Sequence, residues 1–409
     1  MSPHQLTLLF FQLSLMLIFA LLFAWLARRF RHPSIVGELV AGLVLGQTIF
    51  GWLAPNLFQQ LFLLQSNVSL ARDTLLLTGM LFFLFSTGME VNLNTMRGRG
   101  MSILLVSGFG ILIPFVLGAG MVLVLPNFFG YDFTADGWIL PLFLGTALGI
   151  SALPIIARIL LDLNLLDKEI GSVILTSAVL NDLVGWAIFA VCLNLIRTDG
   201  VDANLPAVAG SILAALGLIW FGTMWLARPL LYVLKRSEFP GAFIIVACIF
   251  IFVAAALAEW FGIHPVFGAF LVGVVFAQFP KDDSDKQASE AIQKIAVYLF
   301  APLYFVSVGL KVNFAEHFDL WMVLLVTVVA VVSKVLGAGL GARLGGFDPR
   351  TSVGIGFGMS ARGAIEIILA SVALEYQIID GRIFVALVVM ALVTSMVSGV
   401  MLKRVITAS

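Results

Sequence analysis

The chain has 409 residues, 61% of them hydrophobic and only 11% charged, against about 25% charged in an ordinary soluble protein, so a water-soluble globule is excluded. At about 20 apolar residues per crossing, thirteen crossings consume about 260 residues, and the remainder serves loops and tails without room for an extramembrane catalytic domain. The 23 basic and 23 acidic residues cancel, which leaves no bulk basic field to attract nucleic acid.

Taken in chain order, apolar runs near 6–27, 34–53, 73–93, 101–125, 137–160, 169–196, 205–229, 241–261, 264–279, 291–310, 318–343, 351–375 and 381–402 predict an all-α polytopic membrane protein with thirteen spans. The first run is about 22 residues long and its positive charges, Arg28, Arg29 and Arg31, follow it, the reverse of a signal peptide. Loops rich in Lys and Arg stay inside. With the N-terminus outside, seventeen of the 23 basic residues fall on inner loops and the tail, four on outer loops, and Lys334 and Arg362 within spans. That asymmetry predicts N-out and C-in. Cys192 and Cys248 lie singly in apolar runs without ligand spacing and read as inert packing residues.

Three segments recur in the second half of the chain in the same order. His32-Pro33 with Gly37, Gly42 and Gln47 returns as His264-Pro265 with Gly268, Gly273 and Gln278. Ser86-Thr-Gly88-Met-Glu-Val91-Asn92-Leu93 returns as Ser307-Val-Gly309-Leu-Lys-Val312-Asn313-Phe314, and Gly149-Ile-Ser151-Ala152 as Gly358-Met-Ser360-Ala361. Each pair lies seven spans apart, so the copies run in opposite directions through the membrane. Any one motif could arise by chance among Gly-rich helices, but three in order predict an inverted repeat, an architecture of many secondary transporters.

The fifth span contains Gly145, Thr146, Gly149, Ser151 and Pro154, and its partner contains Gly354, Gly356, Gly358 and Ser360. Gly and Pro here either permit close helix packing or interrupt the helices. Matched interruptions are the best sequence pointer to a transporter's binding site, because freed carbonyls and helix ends can face an ion.

Asn181-Asp182 sits near the centre of the sixth span, where an aspartate costs about 2.5–3.5 kcal/mol on insertion scales. Such a residue is either locked in a structural salt bridge or faces a hydrated cavity, where proton and metal ion compete for one carboxylate. Lys334, about nine residues from the inner end of the eleventh span, is too deep to reach the surface easily. Its expected acceptor is the Asn181 side-chain oxygen or Asp182. Arg362 and Glu366 are four apart and share a helix face; they are expected to build the site rather than to bind the ion. Glu38 and Glu90 read as interfacial, His264 as a helix-boundary residue, and the Lys281–Lys286 run as a solvated cytoplasmic loop.

Gly145 to Arg158, Asn181-Asp182, His264 to Gly273, Pro302 to Lys311, Lys334 and Ser360-Ala-Arg-Gly-Ala-Ile-Glu366 together resemble the cation:proton antiporter 2 family, and closely its plant exchanger branch and bacterial relatives. The resemblance covers essentially the whole chain. It implies a sodium/proton antiporter fold with two crossed broken helices within one transmembrane unit, 1–404, followed by a short cytoplasmic tail, 405–409. A core domain of about 101–196 and 318–404 would move like an elevator against a dimerisation domain of about 6–93 and 205–310, and the protein would be a homodimer. Asp182 would bind cation or proton, with Asn181 its neighbour and Lys334 the basic residue beside them. Relatives with Asp in place of Asn181 are typically electrogenic and those with Asn electroneutral. Asn181 cannot titrate, so the expectation is one-for-one exchange of Na+ or K+ for H+, with Lys334 as the group able to alter that count by losing a proton. The regulatory domain that follows the last span in potassium-efflux relatives is not expected after Ser409.

Thr146, Ser151 and Ser177 are candidate oxygen donors to the ion, since a hard cation takes oxygen ligands. The expected partners are a monovalent cation, a proton and membrane lipid, with no resident cofactor, in a bacterial inner membrane. Two other readings stand beside antiport: a sodium-coupled symporter of an organic anion, and a channel or membrane sensor on the same fold. No nucleophile with a base, metal cluster or phosphate loop is visible, which argues against an enzyme.

Overall fold

The structure is a computed structural model, and it describes residues 2–30, 34–63, 66–90, 100–132, 137–152, 155–156, 159–160, 163, 165, 168–197, 205–311 and 313–407. Of the residues singled out above, Arg31, His32, Pro33, Val91, Asn92, Leu93, Pro154, Arg158 and Val312 lie outside the described residues.

The described chain is helical. In order it forms α1 (Pro3–Arg29), α2 (Ser34–Leu45), α3 (Ser66–Met89), α4 (Gly100–Val124), α5 (Ile139–Gly149) and α6 (Glu169–Arg197). There follow α7 (Leu205–Arg236), α8 (Ala242–Trp260), α9 (Pro265–Ala277), α10 (Asp283–Ile295), and, after a π-helical stretch Ala296–Phe300, α11 (Ala301–Lys311). The last four are α12 (Leu320–Leu344), α13 (Pro349–Met359), α14 (Ala364–Glu375) and α15 (Gly381–Thr407). Ten helical segments among the described residues are long and apolar enough to cross a membrane, and α5 and α9 are shorter apolar helices. Long helices with polar backbones satisfied internally are what a lipid environment demands. This is an integral membrane protein.

The chain divides into two compact units, Met1–Glu90 with Leu213–His317, and Val91–Ile212 with Phe318–Ser409. In the first unit, equivalent glycines of the repeat make equivalent crossings. A Cβ at Gly42 in α2 would lie 2.3 Å from the Val306 carbonyl of α11, and a Cβ at Gly273 in α9 would lie 2.1 Å from the Phe85 carbonyl of α3. Only glycine lets those backbones approach so closely. The second copy of the motif thus packs on the first copy's neighbour, and the reverse.

In the second unit, the chain starts helices at polar caps. Asp319 accepts from the N–H groups of Trp321 and Met322 at the start of α12, and Asp348 from those of Arg350 and Thr351 at the start of α13, where Pro349 occupies the first position. Pro needs no helical acceptor there, and the carboxylate satisfies donors the helix cannot. α5 ends at Gly149 with Ile150 extended, and residues 360–363 separate α13 from α14, at the two positions matched in the sequence repeat.

Two expectations are corrected. The Lys281–Lys286 run is not wholly a solvated loop, because Asp282 caps α10 and Asp285 is 1% exposed. The Lys235 ammonium at the end of α7 donates to Asp282 Oδ2 at 2.8 Å and also to Asp285 Oδ2. That hydrogen bond holds the Asp282 carboxyl below the usual carboxylate range. Glu38 is 6% exposed rather than interfacial, buried on the face by which α2 packs. Glu90 accepts from Gln293 of α10 at 2.8 Å, and His264 caps α9 through the Val266 N–H, as a boundary residue would.

Candidate functional site

The interrupted segments meet in the second unit. The Ala152 N–H donates to the Ala361 carbonyl at 2.9 Å, and the Ser151 hydroxyl donates to the carbonyl of Met359, the last residue of α13, at 2.9 Å. Helix ends leave carbonyls without intrahelical donors. Here the chain of one interruption satisfies those of the other.

The carbonyls at the end of α5 are satisfied differently. Lys334 of α12 donates to Gly149 O, and Arg362 Nη2 donates to Leu148 O at 2.5 Å. Two cations therefore occupy the negative end of the α5 dipole. These carbonyls, expected to face a transported ion, are held by the protein's own ammonium and guanidinium.

Lys334 donates as well to Gly110 O at 2.9 Å. The Asn181 amide is oriented with Oδ1 toward Lys334 Nζ at 3.0 Å, and its nitrogen donates to Ser107 Oγ at 2.8 Å and to the Ser107 and Ser177 carbonyls at 3.1 Å. The opposite orientation would set an NH2 against an ammonium. An ammonium has three donors, and carbonyls of α4 and α5 with the α6 amide use all three. Of the two expected acceptors for Lys334, Asn181 is the one it meets.

Asn181, Asp182, Lys334 and Arg362 are 0% exposed and Glu366 is 2% exposed. Neither Asp182 oxygen has a side-chain hydrogen-bond partner among the described residues; the Ser151 N–H acts on it as a backbone hydrogen-bond donor, and Lys334 and Glu366 act on it electrostatically. Arg362 Nε lies 3.4 Å from Glu366 Oε1, the pairing that four-residue spacing predicted. Thr146 donates its hydroxyl to Leu142 O at 2.7 Å in its own helix, and Ser177 to Ile103 O of α4 at 3.2 Å. Their protons, like that of Ser151, are committed to carbonyls, which leaves oxygen lone pairs but no donor to spare.

Sequence reasoning missed Ser107 and Gly110 of α4. Ser107 holds the Asn181 amide, and Gly110 supplies the α4 carbonyl that accepts from Lys334. A paired serine and glycine three apart within an apolar helix was the available signal.

The site holds Asp182 excluded from solvent and without a side-chain partner among the described residues, with Lys334 and the Arg362–Glu366 pair nearby. It can accept a proton or a small cation, and charge repulsion opposes holding both.

The family described as "Sodium/hydrogen exchanger, transmembrane" matches residues 17–408. The chain belongs to this family. Within the sodium/hydrogen exchangers, it is 31% identical over 400 residues to Cation/H+ antiporter 17 of Arabidopsis thaliana, the match covering 96% of this chain and 47% of that protein. It is 30% identical over 397 residues to the Na+/H+-K+ antiporter of Bacillus cereus, covering 96% of this chain and 95% of that protein. The chain spans about half the length of the plant relatives it matches. Among solved structures, the sodium proton antiporter of Methanocaldococcus jannaschii superposes with a TM-score of 0.69 at 14% identity, covering 98% of this chain and 96% of that one. That likeness establishes the exchanger fold.

Proposed function

We propose that this chain is a secondary active exchanger of a monovalent cation, Na+ or K+, for H+, in which Asp182 binds cation and proton in turn. The observation that carries the reading is the state of Asp182. It is fully buried and no side chain among the described residues holds its oxygens, while Lys334, the cation that could lock it, spends its donors on Asn181, Gly110 and Gly149. A carboxylate held this way has no structural duty to give up when an ion arrives. The names of the relatives support a monovalent cation and a proton as the exchanged species, and the B. cereus relative, named for both Na+ and K+, keeps the two ions together in the proposal.

Asn181 cannot titrate, so one proton leaves Asp182 for each cation bound and the exchange is electroneutral. The proposal takes thirteen crossings with the N-terminus outside and the C-terminus inside, and crossed broken helices at 150–152 and 360–363. The unit that contains Asp182 is the moving core, the other unit dimerises and stays fixed, and the home of the protein is a bacterial plasma membrane. Inverted repeats supply alternating access of this kind, and the matched glycine crossings support the repeat. Proteoliposomes loaded with a pH-sensitive dye provide the test. Pulses of Li+, Na+, K+ and Rb+ should drive proton movement in the wild type and none in Asp182→Asn. Cation-driven flux that survives in Asp182→Asn overturns the assignment of the site.

A further inference from the structure

Besides Asp182, a second acid lies buried in the same unit: Glu366, ion-paired with Arg362. Neither Glu366 oxygen makes a hydrogen bond among the described residues, and Arg362 Nη1, beside it, has no acceptor either. Buried carboxylate oxygens and guanidinium donors left this way carry the full cost of desolvation, about 1–3 kcal/mol per group and more when charged. Such groups are normally reconciled by ordered water, which bridges donors and acceptors two to four at a time.

Both oxygens of Asp182 likewise lack a side-chain partner among the described residues, and Glu366 acts on Asp182 electrostatically. The charged groups that act on Glu366 are Arg362, one turn before it, and Lys334 of α12. Among the described residues, the helices packed most closely against α14 add little: α5 has no ionisable residue, and α15 has its own only at Arg382, Lys403 and Arg404 near its ends. Lys334, which meets Asn181 next to Asp182, and Arg362, which pairs with Glu366, take the consecutive carbonyls Gly149 O and Leu148 O of α5, so the two bases stand side by side between the two acids, and the unsatisfied atoms belong chiefly to the acids.

We propose that Glu366 is a second titrating carboxyl of the site, which receives through bridging water the proton that Asp182 releases when a cation binds. This rests on the exchanger reading above and adds to it the proton's first stop. In the step, the Asp182 O–H bond breaks as the cation approaches, a water takes that proton and delivers one of its own to Glu366, and Glu366 becomes neutral. Its hold on Arg362 weakens, and it later releases the proton to the open side. No electrons move, and the net charge of the cluster with cation bound and proton gone equals that with proton bound and cation absent. The relay therefore leaves exchange one-for-one.

Two fluxes in the same proteoliposomes test it: cation-driven proton movement, and tracer exchange of the cation for itself, which needs no proton transfer. In Glu366→Gln the ratio of the first flux to the second should fall about 100-fold, the lower end of what a positioned proton-transfer group contributes. Glu366→Asp should restore most of the ratio with a displaced pH profile. Equal loss of both fluxes in Glu366→Gln, or an unchanged ratio, overturns the relay. If Glu366→Gln does not assemble, Glu366→Asp decides: a displaced pH profile supports the relay and an unmoved one overturns it. A wild type without cation-driven proton movement fails differently, since it removes the exchanger reading and the relay with it.

Discussion

Ala152 donates its N–H to the Ala361 carbonyl at 2.9 Å, so two residues that match in the sequence repeat are hydrogen-bonded to each other. Each sits where its helix has stopped. The Ser151 hydroxyl reinforces the junction by reaching across to Met359 O, whereas its counterpart Ser360 donates back to Phe357 O within its own segment, at 2.7 Å.

That asymmetry gives a prediction. Ser151→Ala strips a donor from a buried helix-terminal carbonyl and should destabilise the protein by about 1–3 kcal/mol. Ser360→Ala should cost less, because Ser398 also donates to Phe357 O, at 2.6 Å. Thermal unfolding of the detergent-solubilised variants should rank them in that order.

Asn181 accepts from Lys334 and holds no charge of its own. Asn181→Asp would place an ionisable group beside Asp182 and against an ammonium. Exchange that ignores membrane potential in the wild type should become voltage-dependent in the variant. Transport assayed with the potential clamped at zero and then stepped checks this; equal response in both proteins would refute it.

Gly42 and Gly273 meet carbonyls at distances no Cβ can occupy. Gly42→Ala and Gly273→Ala should each force two helices apart at a cost of about 1–3 kcal/mol. Because the crossings are equivalent, the two losses should be similar, as read from unfolding temperature and from the yield of folded protein in membranes.

Lys235 ties α7 to the start of α10 through Asp282, whose carboxyl it holds below the ordinary range. A depressed carboxylate contributes stability that is complete above its unfolded pKa of about 3.9 and is lost as pH falls through the folded value. Docking of α10 should therefore be insensitive to pH near neutrality and loosen only well below pH 4. Lys235→Met should loosen it at neutral pH, and faster tryptic cleavage at Lys281 and Lys286 is the readout.

Much of this was legible in the residues because lipid makes errors expensive. An ionisable side chain within a span needs a reason to be there, so Asp182, Lys334, Arg362 and Glu366 stood out without any structure. The matched motifs were legible for a related cause: a crossing that demands glycine leaves no substitute, and the same demand occurs twice. Ser107 escaped because a serine can satisfy itself on its own helix and so raises no alarm in an apolar run. Gly110 escaped because its contribution is a backbone carbonyl, which every residue has. The π-helical stretch before α11 and the burial of Asp285 were likewise invisible, since both follow from what lies across the packing interface.

The residue order alone determined that the chain lives in a membrane, that it is built twice over from related segments, and that a few charges are buried in it at considerable cost. Hydrophobicity, glycine spacing and the energy of burying charge are properties of composition and local order, and they read directly. Which acceptor each buried charge takes was decided only by tertiary structure. Lys334 could pair with Asp182 or with Asn181, and the choice depends on carbonyls that α4 and α5 bring to within hydrogen-bond distance from positions far apart in the chain. Three oxygens around one ammonium are a product of folding, and they are what keeps Lys334 from locking Asp182.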